Sequence, residues 1–403
     1  MNNNAIESEI TMDMLKDAVE NNRQWRSSSL NLNAAESLLF EPSSENMLSG
    51  DLSRRAVLGR PGNRYSEGGK YIDIIENITD RISKELFGSN YSEWRAMSAS
   101  VADGILIHSL TDTGDKILAT PSPIGHPTWH ENGYAGFRGL KITEIPFDWS
   151  ELDVNYEKLS AITSEFKFSL AIHGSSLILF PPDFNKLIKA LNGIPLWYDG
   201  AHVMGLIAAG VFPNPLKEGA IVLSGSTQKT LFGPLGGLIL TNSDKLMEKI
   251  DRCTSNDTAT PDYGRIAALA AGMIAWKVRG RQFTMSVVSN ARSLAQELNN
   301  LGIKVLMGHR GYTSTHQIAI IPPGNIEVHA ASTKLSLANI ITTPFPFPDG
   351  NGGIVNALRI GTTEITGRGM VPEDMHNIAN AINMAFSDTE KAKLLVKKSL
   401  NLK

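Results

Sequence analysis

The stretch Leu196-Trp-Tyr-Asp199-Gly-Ala-His202, followed by Leu223-Ser-Gly-Ser-Thr-Gln-Lys229-Thr and Gly233-Pro-Leu-Gly-Gly237, carries most of the information in this chain. One apolar run ends in Asp199, a second ends in Lys229, and a glycine-rich segment comes after it. A lysine amine can hold an aldehyde as a Schiff base, and a carboxylate can keep a pyridine nitrogen protonated so that the ring accepts electrons. Asp199 and Lys229 therefore predict a site for pyridoxal 5'-phosphate.

Neither residue supports this interpretation alone. An aspartate after an apolar run is more often a helix cap, and a lysine near glycines is more often a solvated side chain. The two residues in this order, with the glycine-rich segment 233–237 behind them, favour the cofactor site over both ordinary roles.

Composition narrows the class of protein further. The chain has 403 residues, with 38 Lys and Arg against 41 Asp and Glu and no basic block, which predicts no nucleic-acid partner. No apolar run reaches the ~18 residues of a membrane span, and the N-terminus has no signal-peptide pattern. Cys253 is the single cysteine, which excludes an internal disulfide and is typical of a reducing compartment. We expect a cytoplasmic protein with no membrane contact and no metal site.

Short apolar runs alternate with longer helical patterns through much of the chain. The runs cover residues 116–120, 139–145, 169–173, 194–198 and 220–224. This alternation predicts an α/β fold with a mainly parallel sheet that is covered by helices on both faces. Ligands of such sheets bind at the carboxyl ends of the strands.

The last third of the chain predicts a second, smaller unit. A long helix is expected from residue 265 to about residue 298, after a polar break over 256–264. Residues 311–321 and 357–361 have the pattern of strands, and the proline-rich segment 344–348 predicts an irregular connection. We therefore expect an N-terminal helical segment over 1–40, a large domain over 41–280 and a small C-terminal α/β domain over 281–403.

Three segments together resemble one family, serine hydroxymethyltransferase, among the fold-type I pyridoxal phosphate enzymes. They are Asp199-Gly-Ala-His-Val-Met-Gly-Leu-Ile-Ala-Ala-Gly210, Thr227-Gln-Lys-Thr-Leu-Phe-Gly-Pro-Leu-Gly-Gly237 and Leu358-Arg-Ile-Gly-Thr362. The likeness extends from about residue 31 to about residue 369, with Asn31-Leu-Asn-Ala-Ala-Glu36 and Arg60-Pro-Gly-Asn-Arg-Tyr65 as degraded versions of the family's N-terminal segments. It implies the fold-type I architecture, in which the large domain contains a seven-stranded, mainly parallel sheet.

The resemblance assigns roles to the cofactor residues. Lys229 matches the Schiff-base lysine, Asp199 the partner of the pyridine nitrogen, and His202 the histidine near the ring hydroxyl. His126, in Gly125-His-Pro-Thr-Trp129, is expected to stack on the ring. The other residues expected to border the cofactor are Ser98, Ala99 and Ser100 at a helix start for the phosphate, Ser175 beside the ring oxygen, Thr227 and Gln228 before the lysine, and Gly264 from a neighbouring subunit.

Arg359 resembles the family arginine that binds the α-carboxylate of the substrate through two charge-assisted hydrogen bonds. It implies an L-α-amino acid substrate. By fixing the carboxylate, this arginine also selects the Cα bond that breaks. A structural ion pair within a strand is the ordinary alternative for such a residue.

Several positions depart from the family pattern. Ala56, Leu58 and Ser66 stand where the family has a tyrosine, a glutamate and a second tyrosine, and a leucine cannot carry a proton. Glu67 could supply a relocated carboxylate or be an exposed turn residue. The remaining departures are Ala35 for a serine, Gln228 for a histidine and Leu235 for an arginine. We expect Ala35, Leu58 and Ser66 to line a changed substrate wall, and folate-dependent serine cleavage to be lost or very weak.

The residues and the resemblance favour one class of reaction and leave two alternatives open. The first interpretation is cleavage or formation of a Cα–Cβ bond of an amino acid, of the aldolase, transaldolase or hydroxymethyltransferase type, with an aldehyde as co-substrate. Because the glutamate and both tyrosines are absent, transamination, β-elimination or racemisation is the alternative. A non-catalytic protein that binds pyridoxal phosphate is the second alternative. The resemblance also implies a homodimer whose sites are shared between subunits.

Overall fold

The computed structural model describes residues 10–401. Residues 1–9 of the predicted N-terminal segment lie outside the described residues. The strands are β1 (Leu30–Asn31), β2 (Gly59–Arg60), β3 (Asn63–Arg64), β4 (Tyr91–Glu93), β5 (Lys116–Ala119), β6 (Lys141–Glu144), β7 (Phe147–Asp148), β8 (Asp153–Val154), β9 (Leu170–His173), β10 (Leu196–Asp199), β11 (Val222–Ser226), β12 (Gly237–Thr241), β13 (Gln317–Ile320), β14 (Ile340–Ile341), β15 (Thr343–Pro348) and β16 (Ile354–Gly361). The helices are α1 (Met12–Ser27), α2 (Ser44–Leu48), α3 (Lys70–Phe87), α4 (Ala99–Leu110), α5 (Tyr134–Phe137), α6 (Tyr156–Glu165), α7 (Phe184–Leu191), α8 (Met204–Ala208), α9 (Asp244–Asp257), α10 (Tyr263–Asn300), α11 (Val328–Leu337), α12 (Thr363–Gly367), α13 (Met375–Ala385) and α14 (Thr389–Asn401).

A seven-stranded sheet with the order β4-β12-β11-β10-β9-β5-β6 forms the centre of the larger part of the molecule. All of its strands are parallel except β12, which runs antiparallel to both β11 and β4. The five apolar runs that predicted strands form β5, β6, β9, β10 and β11. The predicted α/β fold with a mainly parallel sheet is therefore confirmed.

The central strands are buried on both faces, as parallel strands between two helical layers are. In β10, Leu196 and Tyr198 pack into one apolar cluster, and Trp197 packs into the cluster on the opposite face. The indole N–H of Trp197 donates to Ser224 Oγ of the neighbouring strand at 2.8 Å, which satisfies the polar atom of a fully buried side chain. Side chains that alternate in direction thus fill both layers of the core.

A three-stranded antiparallel sheet with the order β13-β16-β15 lies in the C-terminal part. The N-terminal segment joins this part, because β1 pairs in parallel with β14 and places Leu30 opposite Ile340. Leu30 and Leu32 are fully buried in an apolar cluster with residues of α10, α11 and α13.

Helix α10, with 38 residues, connects the two apolar cores. Its first half contributes Leu269 and Trp276 to the core beside the large sheet, and its second half contributes Leu294 and Leu298 to the C-terminal core. Asp262 caps its start by accepting a hydrogen bond from the N–H of Arg265. The long helix predicted from residue 265 is confirmed, and residue 280, the last of the predicted large domain, lies within it.

The strand predicted over 311–321 was too long at its start, because β13 begins only at Gln317. Residues 313–316 form a loop whose polar groups bind another loop rather than a strand. Thr313 Oγ1 donates to the carbonyl oxygen of Leu179 at 3.0 Å, and Thr315 Oγ1 donates to that of Ile178 at 2.6 Å. These hydroxyl contacts replace the ladder that the apolar pattern predicted.

The irregular connection predicted over 344–348 was wrong, because these residues form most of strand β15. This strand lies at the edge of the small sheet and pairs with β16. A proline has no N–H, so Pro344, Pro346 and Pro348 are tolerated at positions whose N–H would point away from the sheet. The intervening residues Thr343, Phe345 and Phe347 can supply the ladder donors.

Two features are absent from the described residues. No helix within residues 10–401 is long and apolar enough to cross a membrane. Over the same range, no three His, Cys, Asp or Glu side chains are grouped closely enough to hold a metal ion.

Candidate active site

The carboxyl ends of β9, β10 and β11 meet at one edge of the large sheet, and the predicted cofactor residues follow them. Asp199 is the last residue of β10, and Lys229 comes three residues after β11. Gly174 follows β9 directly, and a Cβ at this position would lie 2.4 Å from the backbone oxygen of Asp199. Glycine is therefore required for the loop after β9 to approach Asp199 this closely.

Lys229 and His202 form the central contact of the site. Lys229 Nζ lies 3.1 Å from His202 Nε2. Thr230 fixes the turn that carries His202, because its Oγ1 donates to the His202 carbonyl oxygen at 3.0 Å. Burial lowers the pKa of Lys229 to about 8, although Asp199 acts in the opposite direction. Burial also lowers the pKa of His202 well below its ordinary value, so the imidazole is neutral at neutral pH.

Asp199 is a carboxylate that is only 4% exposed. Its Oδ1 accepts a hydrogen bond from the N–H of Ala201 at 2.6 Å. Burial raises the pKa of Asp199 to about 6, while the Ala201 hydrogen bond and Lys229 limit the rise. The group is therefore mainly ionised at neutral pH, in the form that favours a protonated ring nitrogen.

A second buried carboxyl group, Asp103, lies beside His126. Thr128 Oγ1 donates to Asp103 Oδ2 at 2.7 Å and lies 2.7 Å from His126 Nδ1. Burial and then the charge of Asp199 raise the pKa of Asp103 well above its ordinary value. Burial lowers the pKa of His126 to about 4, although 31% of its side-chain surface remains exposed. His126 is thus a neutral ring that remains accessible to a stacking partner.

The N-terminus of α4 points to the same region through Ser98, its N-cap residue. Ser98 Oγ accepts a hydrogen bond from the N–H of Val101 at 3.2 Å. The backbone N–H groups of Ala99 and Ser100 belong to the first turn, where a helix leaves its amides without intrahelical partners. A Cβ at Gly237 would lie 2.4 Å from the carbonyl oxygen of Ser98, so strand β12 packs directly against this helix start. The first turn of α4 has the chemistry of a phosphate site.

Arg359 lies in β16, and its side chain reaches the loop after β9. Its Nη1 donates to the carbonyl oxygen of Ser176 at 2.5 Å, and its guanidinium lies 5.1 Å from the centre of the Phe345 ring. Arg359 is 6% exposed, its Nε has no hydrogen-bond partner, and no carboxylate within residues 10–401 pairs with it. Burial lowers its pKa to about 10. The ordinary alternative of a structural ion pair is therefore not found among the described residues.

The hydroxyl groups of Ser175 and Thr227 mainly shape their own loops. Ser175 Oγ donates to the carbonyl oxygen of Leu177 at 2.9 Å and accepts from the N–H of the same residue at 3.0 Å. Thr227 Oγ1 donates to the carbonyl oxygen of Pro234 at 2.5 Å. Their predicted contacts with the cofactor remain predictions.

Gln228 lies next to Lys229, and Ala35 follows a residue that contacts His316. The backbone oxygen of Gln228 accepts a hydrogen bond from Ser37 Oγ at 2.5 Å, and its side-chain oxygen is buried without a partner. The carbonyl oxygen of the residue before Ala35 lies 3.2 Å from His316 Nε2. The ring of His316 is stacked with that of His202, with centroids 6.0 Å apart.

Leu58, Ser66 and Gly264 lie apart from this constellation within the chain. Leu58 is 41% exposed and lines a separate cleft of about 390 Å³, whose lining includes neither Lys229 nor Arg359. Ser66 is exposed in the turn after β3, and Gly264 lies in the first turn of α10. Their predicted contribution to the site of a neighbouring subunit remains a prediction.

The hairpin β2–β3 that follows Leu58 is held by buried ion pairs. Arg64 donates to Asp73 at 2.8 Å and also pairs with Glu76, which is 2% exposed. Gly59 begins the hairpin with a φ of 96°, and a Cβ there would lie 2.5 Å from the carbonyl oxygen of Asn63. The surviving glycine and arginine of this family-like segment thus maintain its shape.

Sequence reasoning missed Asp103, His316 and Gln317. A local signal existed for Asp103, because it stands five residues after Ser98 in a helix that is otherwise apolar over much of its length. His316 and Gln317 have no local signal. They reach His202 across more than a hundred residues of sequence, so only the folded chain brings them together.

The residues present fit pyridoxal phosphate. Lys229 supplies a buried amine of lowered pKa for an aldehyde, and Asp199 supplies a buried carboxylate for a ring nitrogen. The first turn of α4 suits a phosphate, and Asp103 Oδ1 and Arg359 Nε are buried polar atoms without partners. The same edge of the sheet thus combines anion-binding and aldehyde-binding groups.

Known proteins resemble this chain over almost its whole length. The serine hydroxymethyltransferase family model matches residues 7–382. An alpha-methylserine aldolase of Variovorax paradoxus is 36% identical over 375 residues, which cover 92% of this chain and 85% of the relative. The serine hydroxymethyltransferase of Methanothermobacter marburgensis is 34% identical over 386 residues, which cover 94% of this chain and 91% of the relative. The serine hydroxymethyltransferase of Sulfolobus acidocaldarius is 33% identical over 392 residues, which cover 94% of this chain and 89% of the relative.

The fold and these matches define a fold-type I enzyme that depends on pyridoxal phosphate. The chain belongs to the serine hydroxymethyltransferase family. The predicted cofactor, the amino acid substrate and the class of reaction, Cα–Cβ bond cleavage or hydroxymethyl transfer, are confirmed by the family and its named members.

Proposed function

We propose that this enzyme is an aldolase that cleaves and forms the Cα–Cβ bond of a β-hydroxy-α-amino acid without tetrahydrofolate. The observation that carries the proposal is Arg359, a buried guanidinium that no carboxylate of residues 10–401 neutralises. A buried charge without a partner is costly, and the α-carboxylate of a bound amino acid supplies the missing counter-charge. Two of the guanidinium's nitrogens can bind it in a fixed orientation.

In this proposal the chain's residues hold the cofactor as the resemblance implies. Lys229 binds its aldehyde carbon, Asp199 its ring nitrogen and His202 the ring hydroxyl. His126 stacks on the ring, and the start of α4, with Ser98, Ala99 and Ser100, holds the phosphate. The bound cofactor supplies an electron sink for the pair left on Cα when a bond breaks.

The proposed cleavage balances its atoms and protons. The Cα–Cβ bond breaks, the β-hydroxyl loses its proton as its carbon becomes an aldehyde, and Cα takes up a proton to give the shorter amino acid. His126 is neutral because burial lowers its pKa to about 4, and burial lowers that of Lys229 to about 8. Near neutral pH the His126 ring is therefore unprotonated and only a weak base, and Lys229, whose pKa is closer to neutrality, is the group suited to accept and return a proton.

The independence from folate is supported by Leu58. It stands where the family has a glutamate, and neither Ala56 nor Ser66 restores a tyrosine. A leucine can neither carry a proton nor bind a pterin amine. We infer that the aldehyde leaves as a free molecule rather than being transferred to folate.

The substrate class is drawn from the relatives. Three of the similar proteins are named alpha-methylserine aldolase, with 34% to 36% identity. We propose an amino acid that carries a β-hydroxyl and a methyl group on Cα, so that cleavage gives formaldehyde and alanine. The same Cα–Cβ cleavage would convert serine or threonine to glycine and an aldehyde.

The test is a product analysis of the purified holoenzyme. α-Methylserine, serine and threonine are each incubated with and without tetrahydrofolate, and aldehyde and amino acid products are identified by mass spectrometry. We expect aldehyde and alanine from α-methylserine at a rate that folate does not change. The reverse reaction, from alanine and formaldehyde, gives a second measurement of the same bond.

Each other outcome contradicts the proposal in a recognisable way. Serine cleavage that requires tetrahydrofolate indicates an ordinary hydroxymethyltransferase. A keto acid with pyridoxamine phosphate indicates transamination, a keto acid with free ammonia indicates β-elimination, and the D-enantiomer indicates racemisation. No response to any amino acid indicates a binding role.

We also propose that the enzyme works as a homodimer in the cytoplasm. The cleft beside Leu58 contains no residue of the Lys229 site, so in a single chain the loop over 56–66 is separate from that site. Pairing two chains would let each complete the other's pocket. A single cysteine, Cys253, is consistent with a reducing compartment.

A further inference from the structure

Gln317 occupies a central position that the cofactor roles do not explain. It is the first residue of β13, it pairs with Gly361 of β16, and it is fully buried. Its side chain extends to the loop after β9 and to His202. A buried amide must satisfy one acceptor and two donor hydrogens, so its contacts are informative.

The orientation of the Gln317 amide is determined by its partners. The backbone N–H of Ile178 donates to Oε1 at 2.7 Å, and a backbone N–H can only donate, so this atom is the oxygen. The Nε2 atom then lies on the other side, 3.3 Å from the carbonyl oxygen of Ser176 and 2.9 Å from His202 Nδ1. A flipped amide would place two donors against each other at Ile178.

The contact with His202 fixes the position of that residue's hydrogen. A carbonyl oxygen only accepts, so one hydrogen of Nε2 goes to Ser176, and the other goes to His202 Nδ1. His202 Nδ1 must therefore accept. A neutral imidazole carries one N–H, which leaves that hydrogen on Nε2, the atom 3.1 Å from Lys229 Nζ.

We propose that Gln317 is a positioning residue that holds His202 in its Nε2–H form, so that His202 donates a hydrogen bond into the cofactor site. In the cofactor-free protein Lys229 accepts this hydrogen only as its neutral amine, the form that predominates above its pKa of about 8. With pyridoxal phosphate bound the same N–H is available to the ring hydroxyl oxygen. The proposal concerns the cofactor site and does not depend on which amino acid the enzyme cleaves.

The surroundings of His202 support the neutral form. The ionisable groups that face its ring are Lys229 after β11, Arg359 of β16 and His316 before β13, and each of them disfavours a proton on the imidazole. Burial acts in the same direction. The ring therefore stays neutral, and the donor from Gln317 decides which nitrogen keeps the hydrogen.

The same amide also links His202 to the proposed carboxylate site. The carbonyl oxygen of Ser176 accepts from Gln317 Nε2 at 3.3 Å and from Arg359 Nη1 at 2.5 Å. One backbone oxygen thus joins the cofactor histidine and the substrate arginine. A substitution of Gln317 is therefore expected to alter the positions of both His202 and Arg359.

The experiment is nuclear magnetic resonance of the holoenzyme labelled with ¹⁵N in its histidine rings. The signals of His202 are those that disappear in His202→Asn. In the wild-type protein we expect Nδ1 to have the shift of an unprotonated ring nitrogen and Nε2 that of an N–H nitrogen. A hydrogen on Nδ1 in the wild-type protein would overturn the proposal directly, whatever the variants do.

Two variants test whether Gln317 is the cause. Gln317→Met has a similar volume and no donor, so the preference for the Nε2–H form should fall about tenfold, the value of one hydrogen bond. Gln317→Glu replaces the donor by an acceptor, so a hydrogen should appear on Nδ1. His202 signals that are unchanged in both variants would contradict the proposal.

Thr313→Val is the matched control. Thr313 is buried four residues earlier and donates to the carbonyl oxygen of Leu179, next to Ile178 in the loop that Gln317 also contacts, and its hydroxyl bonds neither Gln317 nor His202. Its loss weakens the same loop without touching His202, so the His202 signals should not change. An equal change in this control would assign the effect to loop packing and would overturn the role of Gln317.

Discussion

At the scale of single residues, Lys229 is subject to two opposing influences. Burial lowers its pKa to about 8, and Asp199 and Asp103 limit the fall. Only a neutral amine attacks an aldehyde, so covalent attachment of pyridoxal phosphate to the cofactor-free protein should become faster as the pH rises through about 8. The measurement is the visible absorbance after mixing, over a series of pH values.

An apparent midpoint near that of an ordinary lysine, about 10.4, would contradict this prediction. Lys229→Ala is the control, because it removes the amine. After borohydride reduction and peptide mapping, the wild-type protein should carry the cofactor on Lys229 and the variant on no residue. An adduct on a different lysine would contradict the assignment of Lys229 as the residue that binds the cofactor.

Arg359 should not tolerate replacement by lysine. A lysine keeps the charge and loses the planar pair of donors, so the dissociation constant for the amino acid should rise about 10- to 100-fold. Spectral titration of the holoenzyme with the amino acid measures it. Arg281→Lys is the matched control, since Arg281 is exposed and binds the carbonyl oxygens of Ala209 and Gly210. Equal affinities in wild type and Arg359→Lys would show that the carboxylate binds elsewhere.

The residues that the sequence could predict are those next to a recognisable local pattern. Asp199 and Lys229 each end an apolar run, so their place at the sheet edge followed from topology. Gln317 and His316 act on His202 through contacts between distant segments. No pattern of neighbouring residues contains that information, because it arises only when the small sheet packs against the large one.

At the scale of elements, the start of α4 gives a prediction with an internal control. Ser98→Ala removes the N-cap of α4, and Ser243→Ala removes that of α9, where Ser243 Oγ accepts from the N–H of Leu246 at 3.3 Å. Each change should lower the free energy of unfolding by about 1 kcal/mol. Only Ser98→Ala should also weaken the binding of pyridoxal phosphate, because only α4 points to the cofactor site.

Equilibrium dialysis gives the cofactor affinity, and denaturant unfolding gives the stability. A cofactor affinity of Ser98→Ala equal to that of the wild-type protein would contradict a phosphate site at the start of α4. A loss of affinity in Ser243→Ala as large as in Ser98→Ala would instead show that the effect reflects general destabilisation.

Elements with a strong period were predicted well, and elements shaped by long-range pairing were not. The central strands and α10 follow from apolar periodicity. Strand β15 did not, since its prolines break the usual strand pattern and only its position at a sheet edge makes them compatible. The loop over 313–316 was mistaken for a strand because its threonine hydroxyls bind a different loop.

At the scale of the whole molecule, assembly is the open prediction. Helix α1 has no buried residue in the single chain, and Met12, Leu15 and Val19 are 65%, 60% and 62% exposed. Such a face favours contact with a second copy. One chain has a mass of 43.8 kDa. Light scattering of the holoenzyme at assay concentration should give twice this mass. An active species with the mass of one chain would contradict the shared site.

The sequence predicted the fold of the single chain better than it predicted which residues complete the active site. The large sheet, the long helix and two of the three strands of the small sheet were anticipated, because each depends on apolar patterns within the chain. The positions of Leu58 and Gly264 relative to a working site depend on a neighbour. A single chain, however well it folds, does not contain that information.

The prolines of β15 have a consequence beyond the shape of the small sheet. An edge strand usually offers a row of free N–H groups to which a foreign strand can attach. In β15 the outward positions are Pro344, Pro346 and Pro348, which have no such group. The small sheet therefore offers no N–H donor at these three outward positions, which disfavours the addition of a foreign strand at this edge.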